Sequence, residues 1–155
     1  MLAVGEVAPD FEALDCQGRP VRLSAFRGRR VVVFFFPKAF TPICIEEVRH
    51  FRDNQARIRA LGAELIGVSV DKPEVQCDFA KSENLDFTLL GDADRTISEK
   101  FGVLWPVVRI DRRVTFLISP EGVVEEIIEH ERQAWKHVDG IVTALERRVS
   151  PPAAT

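Results

Sequence analysis

Residues 31–36 read VVVFFF, six apolar strand formers in a row, and Pro37 follows. A strand with one wet face alternates apolar and polar residues. A run without alternation belongs in the middle of a sheet that is covered on both sides. The proline lacks a ladder donor and ends the strand. The rest of the chain must therefore supply apolar cover for two faces.

The downstream sequence offers that cover. Residues 42–61 predict a helix with Val48, Phe51, Ile58 and Leu61 on one face, Arg49, Arg52, Arg57 and Arg59 mostly elsewhere, and Gly62 as a stop. Residues 63–70, AELIGVSV, predict a second buried strand. DKPE at 71–74 offers Asp71 as an N-cap, a proline just inside and Glu74 three residues after the cap. A helix over about 73–84 follows, with Val75 and Phe79 as its core stripe. FTLLGD at 87–92 reads as a short strand or loop and 94–102 as a helix. Residues 114–119 and 123–128 form a strand pair around the PEG turn, and 132–148 form a closing helix. Upstream, FEAL and PVRLSAF flank the DCQGR turn as two short strands. The pattern predicts an α/β fold: a central mixed β-sheet flanked by helices, with an N-terminal β-hairpin extension. Residues 1–150 are expected to form one domain and 151–155 a disordered tail.

Charge and cysteine usage narrow the function. Lys and Arg number 21 against 24 Asp and Glu, a net charge of −3, which suits neither nucleic acid nor a membrane surface as the main partner. The longest apolar run is too short to span a bilayer. The N-terminal MLAVGEVAPDF has no basic stretch followed by an apolar one, so a cytoplasmic location is expected. The three cysteines, Cys16, Cys44 and Cys77, include no CxxC pair. With only His50, His130 and His137 beside them, no metal-ligand spacing can be assembled, and no metal or cofactor is expected. Redox or nucleophilic thiol chemistry fits better.

Cys44 stands where that chemistry is favoured. In TPIC, Thr41 suits the N-cap and Pro42 the first helical position, which puts Cys44 third. Unpaired backbone N–H groups and the positive end of the helix dipole favour a thiolate, the reactive form of cysteine. Glu46 and Glu47 oppose that effect. A basic partner, best an arginine, is needed from elsewhere in the chain.

The stretch FFFPKAFTPICIEEVRHFRD resembles the active-site segment of peroxiredoxins: a hydrophobic strand, F-P, T-x-x-C at a helix start, then F-R-D. Flanking segments agree in order: VGEVAPDFEALDCQGRPVRLSAFRGR, GVSVDKPE, FGV and RVTFLISPEG, so that the resemblance spans roughly residues 3–130. It is nearest to the bacterioferritin-comigratory or Q-type branch, with E-type wording in A-F-T-x-I-C. The resemblance implies a thioredoxin-like fold and a thiol peroxidase that reduces hydrogen peroxide and organic hydroperoxides. It implies Cys44 as the peroxidatic residue that becomes a sulfenic acid. Thr41 would hydrogen-bond thiolate and peroxide, Pro42 would shield the sulfur, and Arg113 would be the distant basic partner. Arginine suits the task because its fork of donors stays charged. Along the strand, Arg113, Thr115 and Leu117 share one face, and Val114 and Phe116 the other. Phe40 and Trp105 are candidates to wall the pocket.

The chain departs from the branch at resolution. Many Q-type members carry a resolving cysteine five residues after the peroxidatic one, where this chain has Arg49. Cys77, predicted to lie opposite the core stripe of its helix, is the candidate resolver through a Cys44–Cys77 disulfide. Some Q-type members place theirs on this helix, where Ala80 stands here. Forming that bond calls for unwinding the first turns of the 42–61 helix. Cys16 reads as a turn-tip cysteine remote from the pocket. The alternatives are a one-cysteine peroxidase resolved by an external thiol, or a redox sensor or holdase. A dithiol oxidoreductase is disfavoured by the missing CxxC. Thioredoxin or a similar thiol is the expected reductant, and a monomer is expected in preference to a dimer.

Overall fold

The structure, a computed structural model, describes residues 1–149. The predicted tail over 151–155 lies outside the described residues. In chain order the elements are β1 (Glu12–Leu14), β2 (Pro20–Arg22), a 3-10 turn (Leu23–Phe26), β3 (Arg30–Phe35), α1 (Pro42–Ala60), β4 (Ala63–Ser69), α2 (Pro73–Ser82), β5 (Thr88–Gly91), α3 (Thr96–Phe101), β6 (Val114–Ile118), β7 (Val124–Glu129) and α4 (Trp135–Val149). β1 and β2 form the antiparallel hairpin. The five-stranded sheet has the order β5-β4-β3-β6-β7. Its β3–β4 and β4–β5 pairs are parallel, while β3–β6 and β6–β7 are antiparallel, so the sheet is mixed.

β3 lies in the centre, as its unbroken apolar run demands. Val32 and Phe34 join a cluster with Val48, Phe51 and Ile58 of α1 and Val138, Ile141 and Leu145 of α4. Val31, Val33 and Phe35 join Ile97 and Phe101 of α3 with Phe11 and Leu23 on the opposite face. Each such side chain contributes about 1.5–3 kcal/mol on burial, which is why both faces are filled. Phe34 stacks on Phe51 with ring centroids 4.2 Å apart. That stack leaves no room on β4: a Cβ at Gly67 would lie 2.6 Å from the Phe34 ring and 2.5 Å from Leu89.

Two local expectations are corrected. Asp71 does not cap α2. Its Oδ2 accepts from the Ala39 N–H and the Ser69 hydroxyl, both at 2.7 Å, and Lys72 takes the cap position without a side-chain bond. The carboxylate is thus spent tying the loop before α1 to the end of β4. The core stripe of α2 is also rotated by one residue: Val75 is exposed, and Gln76 is buried beside Phe79. Gln76 can turn inward because its Nε2 donates to Leu90 O at 2.9 Å. Among the described residues no helix is long and apolar enough to cross a membrane.

Candidate active site

The sheet register brings the site together. Phe35 of β3 pairs with Val114 of β6, so Arg113, one residue earlier, stands at the carboxyl end of β3. The same end feeds α1 through the loop 36–41. Phe40 in that loop has φ of 66°, a left-handed conformation unusual for a bulky residue, and its ring packs on Phe79 with centroids 5.0 Å apart. Thr41 then takes extended backbone angles at the cap position and Pro42 the first helical position.

The expected cap geometry holds for the backbone but not for the threonine side chain. Thr41 Oγ1 donates to Lys38 O at 2.7 Å instead of capping α1. Its hydrogen is therefore committed, and its lone pairs are free to accept. The first intrahelical bond runs from Ile45 N–H to Thr41 O at 2.8 Å. Ile43 and Cys44, which precede it, have no helical acceptor for their N–H groups, and Pro42 has no N–H at all.

Cys44 is fully buried and carries a free thiol. Arg113 Nη1 and Nη2 lie 3.4 and 3.5 Å from its Sγ. The guanidinium is held from several sides. Nη1 also donates to Glu47 Oε1 at 2.6 Å, and Nε donates to Glu131 O at 2.8 Å. The backbone N–H of Arg113 donates to Glu131 Oε1 at 3.1 Å. Burial works against the charge of Arg113, but Glu47 and Cys44 outweigh it and the affinity of the guanidinium for its proton is raised. The neighbouring Arg112 faces elsewhere, over the ring of Trp105 at 4.2 Å.

Glu47 and His137 complete the buried polar layer. Burial pushes the Glu47 carboxyl up to about 7, against the pull of Arg113. Its Oε2 has no partner among the described residues and lies 3.9 Å from His137 Nδ1. His137 Nε2 is 2.8 Å from His130 O, a carbonyl that only accepts, so Nε2 carries the hydrogen. Nδ1 then accepts from the Thr115 hydroxyl at 2.7 Å. Burial lowers His137 to about 4, which leaves this neutral tautomer in place at neutral pH.

The structure thus gathers Thr41, Pro42, Cys44 and Arg113 at one point. It does not present Cys77 as a thiol: Cys77 is bonded to Cys16, with Cα atoms 5.6 Å apart. Cys16 is a turn cysteine as expected, but the hairpin folds against α2 and hands it a partner. The expected free face of Cys77 is that contact. Glu47, Glu131 and His137 were not singled out by sequence as site residues. Glu47 did carry a signal, because it falls one turn after Cys44 on the helix face that also holds Val48 and Phe51. A carboxylate on a core-facing stripe needs a buried cation.

Known proteins agree with this picture. Residues 4–127 match the AhpC/TSA family. The chain is 37% identical over 142 residues to peroxiredoxin Bcp of Escherichia coli, covering 88% of this chain and 91% of that protein. It is 36% identical over 143 residues to a chloroplastic peroxiredoxin Q of Sedum lineare, covering 92% and 77%. The solved structure of peroxidoxin BcpB from Mycobacterium tuberculosis superposes with a TM-score of 0.89 at 33% identity, over 97% of this chain and 100% of that one. The bacterioferritin comigratory protein of Xanthomonas campestris, described for its alkyl peroxide reduction, superposes at 0.83 with 27% identity over 90% and 92%. With a central strand that feeds a helix opening on a buried cysteine, the chain belongs to the AhpC/TSA family as a peroxiredoxin of the Bcp and Q branch.

Proposed function

We propose that this peroxiredoxin reduces hydroperoxides at Cys44, with Thr41, Pro42 and Arg113 as the other catalytic residues. The observation that supports this most is the pair of Arg113 nitrogens within 3.5 Å of a buried sulfur in the first turn of α1. The Cys44 sulfur attacks one peroxide oxygen, the O–O bond breaks, and the sulfur becomes a sulfenic acid while an alcohol or water leaves. Charge spreads over the sulfur and both oxygens during this step, and fixed donors in a dry site stabilise it without reorganising. Arg113 supplies such donors, as do the N–H groups at the helix start. Thr41 accepts a peroxide O–H with its free lone pairs, and Pro42 keeps solvent from the sulfur.

Hydrogen peroxide and organic hydroperoxides are the proposed substrates. Thioredoxin or a similar dithiol is the proposed reductant, and the protein works as a cytoplasmic monomer built on residues 1–150. Cys77 is the proposed resolver of the Cys44 sulfenic acid, a reading supported by its place in an intramolecular disulfide, and the alternative is an external thiol that resolves Cys44 directly. The test is the second-order rate of the Cys44 thiol with hydrogen peroxide by stopped flow. A rate orders of magnitude above that of a free thiol, lost in Cys44→Ser, is expected. A rate no faster than a free cysteine overturns the reading.

A further inference from the structure

We propose that Cys16 is a third redox-active residue, and that the Cys16–Cys77 disulfide is the final oxidised state of the catalytic cycle, reached by relay from Cys44. The inference rests on Cys44 being the peroxidatic residue.

The three sulfurs are graded in depth. Cys44 has no exposed surface, Cys77 is half-buried on α2, and Cys16 is exposed on the hairpin turn. α2 links the first to the last. Phe79, two residues after Cys77, packs on Phe36 and Phe40 beside the start of α1. Glu83, just past the end of α2, binds Arg49 Nε at 2.5 Å, and its carbonyl accepts from Arg52 Nη1 at 2.8 Å. These bonds clasp the second and third turns of α1 to α2 and leave the first turn, with Cys44, as the part that can unwind toward Cys77. On its other side Cys77 already lies within bonding reach of Cys16.

The surface end is also open to a reductant. A cavity of about 600 Å³ borders the disulfide, lined by Leu14, Cys16, Gly18, Pro73, Glu74 and Cys77 among others. An incoming thiol reaches Cys16–Cys77 there.

The relay balances. Cys44 sulfenic acid is attacked by the Cys77 thiolate; an S–S bond forms, the S–O bond breaks, and hydroxide leaves to become water. The Cys16 thiolate then attacks the Cys77 sulfur. The Cys44–Cys77 bond breaks, Cys44 leaves as a thiolate beside Arg113, and Cys16–Cys77 forms with no further oxidation. A dithiol reductant finally reduces that disulfide by exchange.

The test starts from the fully reduced protein and adds one equivalent of hydrogen peroxide. Samples are acid-quenched, alkylated and mapped by peptide mass spectrometry. The relay requires a Cys44–Cys77 species that rises and decays, an end state of Cys16–Cys77 with Cys44 alkylated, and a stall at Cys44–Cys77 in Cys16→Ser. It also requires Cys44→Ser to form Cys16–Cys77 at least roughly 100-fold more slowly, at the rate of ordinary thiols. An end state of Cys44–Cys77 with free Cys16, or equal rates of Cys16–Cys77 formation with and without Cys44, overturns the relay. Dimedone on Cys77→Ser separates the two readings. Trapped sulfenic acid on Cys44 upholds the first step, and its absence sinks the peroxidatic assignment together with the relay.

Discussion

Cys44 and Glu47 share one nitrogen of Arg113: Nη1 lies 3.4 Å from the sulfur and 2.6 Å from the carboxylate oxygen Oε1. The guanidinium is thus divided between the residue that reacts and a buried acid one helical turn away. Any change in the charge of Glu47 alters how much of Arg113 is left for the sulfur and for a peroxide.

Replacing Arg113 with lysine should lower the rate of Cys44 with hydrogen peroxide by about 10²- to 10³-fold. Lysine keeps the charge but has no fork to reach Cys44, Glu47 and Glu131 together. Stopped-flow fluorescence on the reduced protein measures it, and a rate within a factor of two of wild type would contradict the geometry.

Thr41→Val should slow peroxide reaction by about tenfold, the worth of one hydrogen bond, whereas Thr41→Ser should retain most of it. The hydroxyl that donates to Lys38 O offers its lone pairs to the substrate, and serine keeps that arrangement. Equal losses in both variants would point to the methyl group instead.

Glu47 sets a pH dependence of stability. Its carboxyl is raised from 4.5 to about 7 by burial, so the unfolded chain loses this proton first as pH rises. Its contribution is fully present below about 4.5 and is lost as pH approaches 7. Glu47→Gln should remove that loss in the reduced protein. Urea midpoints collected across the window check it, and an unchanged slope in the variant would count against the assignment.

His137 acts with the opposite sign. It is lowered from 6.5 to about 4, so its contribution is present above 6.5 and is lost as pH falls toward 4. The full difference is about 3 kcal/mol. Nitrogen NMR of the imidazole should find it neutral at pH 6, with the hydrogen on Nε2 facing His130 O. A charged ring at that pH would refute the tautomer and the slope alike.

Gly67→Ala should destabilise the fold by about 1–3 kcal/mol, because its Cβ would meet the Phe34 ring and Leu89 inside the closed core. Chemical denaturation gives the value directly, and a neutral result would mean that the Phe34–Phe51 stack can shift.

Much of this protein was written in local pattern. The unbroken VVVFFF run required a doubly covered central strand, and 3.6-residue spacing placed α1 behind it. The TPIC spacing alone put a thiol in the first turn of that helix, because proline and helix geometry act over four residues. What the pattern left undecided were partners remote in sequence. Arg113 reaches Cys44 across 69 positions only because β6 pairs with β3 in a register that sets Val114 beside Phe35. Glu47 becomes a buried acid only once that guanidinium and α4 close over it. Cys16 finds Cys77 across 61 positions because the hairpin folds onto α2, and no spacing rule encodes such a meeting. Short-range order follows from dihedral preference and side-chain period, whereas charge pairing and disulfide choice depend on which surfaces the packed sheet brings within a few ångströms.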